Sequence, residues 1–389
     1  MAGIHHFENE ELRELATFWS PENDALSLYF GPAKASELAH REEPVRVKEM
    51  IQAQLRTLRS GQADDEDVSR IEATVAGMQG NHNFAKVILA CRRLGVWREY
   101  DLAGDFGSRL DCAQSFAIAP LIAQEESRKR YSIVLADRNT ARLLLLEARQ
   151  LTEQSEALEE EDREKIRTTG ARKSVHLERK KEEQAREHFT IVANRLLHFR
   201  EHGDFDRLIV GCRDEMWPEI EAELHPELQR VLAGRFHIDP GLATHEEIVE
   251  RAQPIVDESD RREEQELVQR IVGGALSERL GVSGVEGVLD AIEKGEVRTL
   301  AWSAKMPENE GVSSCANCGH LERGKLERCE LCASEMRWFA RPEEALVRHA
   351  LGNNIEVRML RHAKLPPPDE IGAWLRFKAE HNTAQALAS

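Results

Sequence analysis

Residues 284–300 have the sequence GVEGVLDAIEKGEVRTL, which predicts a helix that leads directly into a strand. Val285, Val288 and Ile292 recur at intervals of three and four residues and therefore share one face of a helix. Val297–Trp302 is a short apolar run with the length of a buried strand. Helices and strands alternate in this way along most of the chain, and this alternation predicts a layered α/β fold.

A cysteine-rich segment follows this strand and precedes the next predicted helix. It contains two Cys-x-x-Cys pairs, Cys315 with Cys318 and Cys329 with Cys332, separated by ten residues. Each pair offers two thiolates from one tight turn, and four convergent thiolates are a usual ligand set of a structural zinc ion. We therefore expect a zinc ribbon at residues 311–340, in which Zn²⁺ has a structural and not a catalytic role.

Other assignments of the cysteines have less support. Two disulfides would need an oxidising compartment, which nothing else in the sequence indicates, and paired spacing rarely arises among unrelated thiols. His320 lies just after the first pair and could replace one thiolate, but four cysteines already complete a tetrahedral site. Cys91, Cys112 and Cys212 sit among apolar neighbours and are interpreted as small buried hydrophobic residues.

The length and charge of the chain limit the classes of protein to which it can belong. With 389 residues it is too long for one ordinary core, so two or three domains are expected. No run approaches the roughly 18 to 20 apolar residues of a membrane-spanning helix, and residues 1–10 lack the regions of a signal peptide. The formal net charge of −17 argues against a general nucleic-acid coat protein, which is normally basic. We therefore expect a cytoplasmic protein that does not enter a membrane, and a monomer.

The order of the predicted elements indicates three α/β domains, at residues 1–126, 128–255 and 258–389. In the central domain, Tyr131–Ala136 and Thr140–Leu146 flank a short turn and predict a hairpin. A long helix with one apolar stripe follows, and then another strand. In the third domain, the zinc ribbon is inserted between a strand and a helix, a position at which a compact module disturbs its host domain little.

A basic segment interrupts the acidic character of the chain between residues 166 and 200. It contains nine Lys or Arg and four Glu, which gives a local charge of +5. An acidic protein with one basic projection suits a factor that contacts RNA at one place and dissociates readily. On charge alone, a solvated helix face with ion pairs between residues four apart is the commoner explanation.

These elements together resemble the archaeal and eukaryotic class I release factor and Pelota superfamily. The helix and strand at 284–300 and the ending EIGAWLRF at 370–377 are similar to motifs of its third domain. In the central domain, YSIVLAD at 131–137 and DRLIVGC at 206–212 are similar to its opening hairpin and a later strand. The resemblance covers roughly residues 128–378. It implies a three-domain, release-factor-like or Pelota-like α/β architecture with the zinc ribbon inserted in the C-terminal domain.

The sequence departs from the release factors in two motifs. Release factors carry Gly-Gly-Gln at the tip of the middle domain, where it helps water attack peptidyl-tRNA, whereas residues 168–174 here read TTGARKS. Gln184 is not a substitute, because it lies inside the predicted helix. No Asn-Ile-Lys-Ser tetrapeptide for codon reading occurs in residues 1–126, which fit the bacterial Balon-like hibernation factors better than the eukaryotic codon-reading domain.

The resemblance therefore implies a ribosome-binding translation factor that occupies the A site, in hibernation or in rescue of stalled ribosomes, without stop-codon reading or peptide release. Contacts with ribosomal RNA are expected in and beside the modified loop, at Arg167, Gly170, Arg172, Lys173, Arg179, Lys180 and Lys181. The third domain with its ribbon is expected to dock a translational GTPase, such as elongation factor Tu, or the subunit stalk.

Other functions have weaker support, and no catalytic residues are assigned. His198 and His202 lie four residues apart and could share a metal ion, but no third ligand is evident. Gly170 lets a backbone approach an ester closely, which keeps a peptidyl-tRNA hydrolase or an RNA endonuclease as a second hypothesis. A zinc-containing adaptor without ribosome contact is a third.

Overall fold

A computed structural model of the protein divides into two compact units. The first contains Met1–Ser127 and Glu264–Ser389, and the second contains Arg128–Glu263. The described residues are 5–31, 49, 53, 64–76, 85–102, 106–147, 150–154, 174–304 and 311–378, with residues 174–182 described by their backbone alone. Within these ranges, no helix combines the length and the apolar character that a membrane span requires.

The amino-terminal part of the first unit contains a four-stranded antiparallel sheet. Its described helices are α1 (Asn9–Thr17), α2 (Asp65–Ala76) and α3 (Ala119–Glu126). Its strands, in the spatial order β3-β2-β1-β4, are β1 (Ala25–Phe30), β2 (Ala85–Cys91), β3 (Val96–Leu102) and β4 (Arg109–Ala113). Strands β2 and β3 form an antiparallel ladder on either side of Arg92–Gly95.

Strand β1 is buried at every position because both faces of this sheet are covered. Ala25 and Tyr29 belong to one core, whereas Leu26 and Leu28 belong to a second core that includes Ile71 of α2. Successive side chains of a strand point to opposite faces, so a strand with two covered faces is apolar throughout.

The second unit is built on a five-stranded sheet of order β7-β6-β5-β8-β9. Its strands are β5 (Arg130–Ala136), β6 (Ala141–Glu147), β7 (Gln150–Glu153), β8 (Arg207–Cys212) and β9 (Leu232–His237). Its helices include α4 (Ser174–Glu201), α5 (Trp217–Glu223) and α6 (Pro226–Val231). The antiparallel pair β5–β6 confirms the predicted hairpin, and β5, β8 and β9 are parallel.

Helix α4 covers one face of this sheet with the apolar stripe predicted from its sequence. Ala185, Phe189, Val192 and Leu196 are buried in one core, and Phe199 is half-buried at its margin. The helix begins at Ser174.

A helix of 32 residues, α7 (His245–Leu276), begins in the second unit and ends in the first. Pro254, beside the predicted end of the central domain, lies inside this helix. Ala252 before the proline and Ile271 after it are fully buried. Burial on both sides offsets the roughly 3 kcal/mol by which an interior proline destabilises a helix. The division into domains 1–126, 128–255 and 258–389 stays a prediction.

The carboxyl-terminal part of the first unit is a mixed α/β segment. Its helices and strands, apart from the ribbon, are β10 (Gly281–Ser283), α8 (Val285–Glu293), β11 (Val297–Ser303), α9 (Pro342–Asn353), β15 (Glu356–Leu360) and β16 (Ile371–Leu375). The sheet has the order β10-β16-β11-β15, in which β11 runs parallel to β15 and antiparallel to β16. Helix α8 followed by β11 confirms the pair predicted at residues 284–300, and the α/β class is confirmed for both units.

The predicted ribbon lies between β11 and α9. It is a three-stranded antiparallel sheet in which β12 (Val312–Cys315) is flanked by β13 (Leu321–Arg323) and β14 (Met336–Phe339). Val312 and Phe339 are buried in the large core of the first unit, so one face of the ribbon is anchored there.

That large core joins the amino-terminal and carboxyl-terminal parts of the first unit. Phe116 and Leu121 come from the amino-terminal part, Leu346 and Val347 come from α9, and all four are fully buried in the same cluster. Segments that are far apart in sequence therefore share one apolar interior.

Candidate functional site

The four cysteines of the ribbon lie on two tight turns. Cys315 ends β12, and the turn that follows brings Cys318 next to it, closed by a hydrogen bond from Gly319 N to Cys315 O of 3.1 Å. Cys329 and Cys332 lie on the second turn, which is closed by a bond from Cys329 N to Ser334 O of 2.9 Å. Because backbone hydrogen bonds close each turn, the two thiols of a pair are held close together.

The four sulfur atoms converge on one point. All of them lie within 4.8 Å of one another. The distance from Cys315 Sγ to Cys332 Sγ is 3.4 Å, and the distance from Cys318 Sγ to Cys329 Sγ is 3.6 Å. Sulfurs at about 2.3 Å from a tetrahedral zinc ion lie about 3.8 Å apart, whereas disulfide sulfurs lie about 2.05 Å apart. The geometry therefore fits a tetrahedral metal site and not two disulfides.

Backbone groups of the first turn support a negative charge on sulfur. The N–H groups of Asn317 and Cys318 both donate to Cys315 Sγ, at 3.4 Å. Hydrogen bonds to a thiolate favour its ionised form, and the thiolate is the form that binds a metal.

The pKa values of two thiols in the cluster are shifted in opposite directions. Hydrogen bonds from the side chain and backbone of Ser334 lower the pKa of Cys332 to about 5. The backbone N–H of His320 lowers the pKa of Cys318, but the three neighbouring sulfurs outweigh it and raise that pKa to about 12. A divalent cation at the centre would favour the thiolate form of all four cysteines, so the donor set fits zinc.

His320 lies outside the sulfur cluster. Its backbone carbonyl accepts a hydrogen bond of 2.8 Å from Cys315 N, and its Nε2 lies 3.4 Å from Glu322 Oε2. The group that can hold a metal consists of the four predicted cysteines, and His320 supports the turn through its backbone.

The predicted RNA-contact residues fall largely outside what the structure describes. Arg167, Gly170, Arg172 and Lys173 lie outside the described residues. The backbone at Arg179, Lys180 and Lys181 belongs to α4, and their side chains are likewise outside the description. Their role in RNA binding stays a prediction.

The carboxyl-terminal end of the basic segment makes internal contacts. Arg186 Nε lies 2.8 Å from Glu223 Oε1, Arg200 donates to Phe205 O at 2.8 Å, and the guanidinium of Arg195 lies over the Phe199 ring. Each of these three arginines therefore has a partner within the second unit.

Two charged residues of α9 have a structural role that the sequence did not reveal. The Glu344 carboxylate accepts hydrogen bonds from Ile118 N at 2.9 Å and Ala119 N at 3.2 Å, at the start of α3. Arg348 pairs with this carboxylate at 2.8 Å and donates to Phe116 O at 2.6 Å. The available signal was the spacing of four between two opposite charges in an otherwise apolar helix face, but their partners could not be inferred.

The central part of the chain matches a known protein family, and a longer part is similar to characterised proteins. Residues 117–256 match the family model of "Bacterial archaeo-eukaryotic release factor family 10". The chain is similar to peptide chain release factor subunit 1 of Methanocaldococcus jannaschii, with 26% identity over 236 residues, which cover 58% of this chain and 55% of the relative. The corresponding protein of Archaeoglobus fulgidus is 29% identical over 224 residues, covering 54% and 52%.

The chain spans about half the length of these curated relatives. Among solved structures, an archaeal Pelota described as ribosome-bound together with ABCE1 aligns over 96% of this chain and 95% of that chain. The identity is 14% and the TM-score is 0.39.

Proposed function

Because this chain belongs to the bacterial archaeo-eukaryotic release factors, we propose that it is a ribosome-binding translation factor that occupies the A site in hibernation or rescue of stalled ribosomes. The observation that carries the proposal is the family match over residues 117–256, which includes the loop where release factors carry Gly-Gly-Gln. In this chain residues 168–174 read TTGARKS in place of that motif, which supports ribosome binding without peptide release.

The amino-terminal part of the basic segment is the proposed contact with ribosomal RNA. Each Lys or Arg that neutralises a phosphate releases counterions, so affinity should fall steeply with salt. The proposed contacts are Arg167, Gly170, Arg172, Lys173, Arg179, Lys180 and Lys181. Arg186, Arg195 and Arg200, at the carboxyl-terminal end of the segment, have partners inside the protein and are not among the proposed contacts.

The proposed role of the ribbon is structural. Four cysteines would hold Zn²⁺ and leave no open coordination position, so the ion would stabilise the ribbon and not activate water. The ribbon and the carboxyl-terminal α/β segment around it are proposed to dock a translational GTPase such as elongation factor Tu.

Co-sedimentation with 70S ribosomes tests the proposal. The variant with Arg172, Lys173, Arg179 and Lys180 changed to Glu should be lost from the ribosome pellet. The matched control changes four exposed arginines of the second unit to Glu, namely Arg230, Arg251, Arg261 and Arg262. It carries the same change in charge and should still pellet.

Two results would contradict the proposal. Unchanged binding of the first variant would show that the basic segment does not contact the ribosome. Failure of the unmodified chain to pellet would show that the ribosome is not its partner. Release of peptide from stalled ribosomes by the purified chain would instead favour a peptidyl-tRNA hydrolase.

A further inference from the structure

A polar cleft of about 690 Å³ lies in the first unit, between its amino-terminal and carboxyl-terminal parts. Asn9 and Arg13, one turn apart on α1, form one side, and Arg298 at the start of β11 and Arg376 after β16 are among the residues that line the rest. The end of α9 contributes Asn354. Three arginines therefore line one cleft of a protein whose net charge is −17.

Two of these arginines have no hydrogen-bond or ion-pair partner within the part of the chain that the structure describes. Most described Lys and Arg side chains are held by carboxylates, carbonyl groups or aromatic rings. Arg13 and Arg298 are exposed and have no hydrogen bond or ion pair with any described residue. The third, Arg376, donates to Asn354 O at 2.5 Å, which fixes its guanidinium at the cleft.

The carboxylates at the cleft are engaged by other groups. Glu126 Oε2 accepts a hydrogen bond of 3.4 Å from Val357 N. Glu356 pairs with Arg358 through one oxygen and accepts a 3.0 Å hydrogen bond from the Thr299 hydroxyl through the other. The free donors of the cleft are therefore guanidinium and amide groups, a combination that binds anions.

We propose that this cleft binds the phosphodiester backbone of RNA, with Arg13 and Arg298 as the phosphate-binding residues. A guanidinium matches the geometry of phosphate and binds it through two parallel hydrogen bonds. None of the described residues that line the cleft is aromatic. A nucleotide bound through its base would need a stacking surface, so the cleft recognises backbone and not base.

The site deepens the proposed function and rests on it for the identity of the RNA as ribosomal. It would be a second contact, formed by the first unit, in addition to the basic segment of the second. Contacts to phosphate fix position and carry no sequence information, so binding here should be independent of RNA sequence.

The experiment measures binding of the full chain to a fluorescein-labelled RNA duplex of mixed sequence by fluorescence anisotropy over a range of salt concentrations. The test variant is Arg13→Gln with Arg298→Gln, which breaks no hydrogen bond or ion pair between described residues and should fold normally. The matched control is Arg270→Gln with Arg279→Gln, which changes two exposed arginines of the same unit that also lack partners and lie outside the cleft.

The test variant should bind RNA several-fold more weakly, and the slope of log affinity against log salt should decrease by about 2, one for each lost phosphate contact. The control should match the unmodified chain. Equal binding by the two variants would overturn the proposal. Arginine-dependent binding of labelled polyglutamate, with no effect on RNA, would also overturn it in favour of an acidic peptide.

The same two variants in the ribosome pelleting assay separate this inference from the proposed function. If the unmodified chain pellets and Arg13→Gln with Arg298→Gln pellets equally well at raised salt, the cleft is not a ribosome contact while the proposed function stands. If the unmodified chain binds the RNA duplex through the cleft but never pellets with ribosomes, the cleft stands as an RNA site and the ribosomal function fails.

Discussion

Cys329 is the proposed zinc ligand whose replacement tests the metal site most directly. It is buried, with 3% of its surface exposed, and its sulfur lies 3.6 Å from that of Cys318. Cys329→Ser should abolish bound zinc and the hydrogen-exchange protection of β12, β13 and β14. The reason is that zinc binding contributes about 10–16 kcal/mol to the folding of small isolated zinc sites.

Cys112→Ser is the control for that change. The Cys112 thiol is half-buried and donates to Asn23 O at 3.3 Å, a bond that a hydroxyl can also make. This variant should keep its zinc, as measured by metal analysis of the purified chain. Full zinc content in Cys329→Ser would show that the sulfur cluster is not the site.

Glu343, next to the buried Glu344, is a carboxyl group in surroundings that disfavour its charge. Burial, and then the charge of Glu344, raise the pKa of Glu343 from 4.5 to about 7. Its Oε2 is buried without a hydrogen-bond partner among the described residues. A carboxyl group whose pKa is raised by folding stabilises the native state fully below pH 4.5, and this contribution is lost as the pH rises through about 7.

Glu343→Gln should therefore leave the free energy of unfolding nearly unchanged below pH 4.5. Above pH 7 it should raise that free energy by on the order of 2 kcal/mol. Urea unfolding at the two pH values measures this. As a control, Glu247→Gln removes an exposed carboxylate 3.0 Å from Arg251 and should change the stability by at most about 0.5 kcal/mol. The same effect at both pH values would contradict the assignment to Glu343.

At the scale of elements, the sequence predicts those structures whose signals are local. The apolar runs at Ala25–Phe30 and Tyr131–Ala136 are strands because alternating side chains face two covered sides of a sheet. The convergence of the four cysteine sulfurs was predictable for the same reason, since each pair of cysteines shares one turn.

The effect of a proline on a helix depends on its position and on the packing around it. Helix α5 ends at Glu223, and Pro226 starts a new helix, α6, with His225 as its cap. Pro254, in contrast, neither starts nor ends a helix and lies inside α7. Proline suits the first turn of a helix, and an interior proline survives only where packing on both sides holds the helix.

Pro254→Ala should stabilise α7. The proline is exposed and removes one backbone hydrogen bond, so alanine should raise the free energy of unfolding by about 1–3 kcal/mol. Denaturant unfolding measures the change. Pro226→Ala, at the first turn of α6, is the matched control and should give no gain, since proline is favoured there. An equal gain from both would mean that the effect is not specific to the helix interior.

At the scale of the whole molecule, the most consequential feature is the shared interior of the first unit. Ile118 and Glu344 are separated by 226 positions in the chain, and no periodicity or motif relates them. Long-range pairing of this kind depends on which surfaces remain apolar after each sheet has formed. The sequence could therefore predict the helices and strands but not that the two ends of the chain share one core.

The carboxylate of Glu344 provides a test of this joined core. Its side chain is 7% exposed, it caps the start of α3, and it is paired with Arg348, which is 11% exposed. Glu344→Gln keeps the volume but leaves the Arg348 charge without its partner, which should destabilise the first unit by about 3 kcal/mol. Hydrogen exchange in increasing urea should show the loss of protection in both β1 and β11, because one core connects them. Strands β5 and β8 of the second unit should be unaffected. A loss of protection confined to α9 and its nearest strand would contradict a single cooperative core, since only a shared interior carries the change to the amino-terminal sheet.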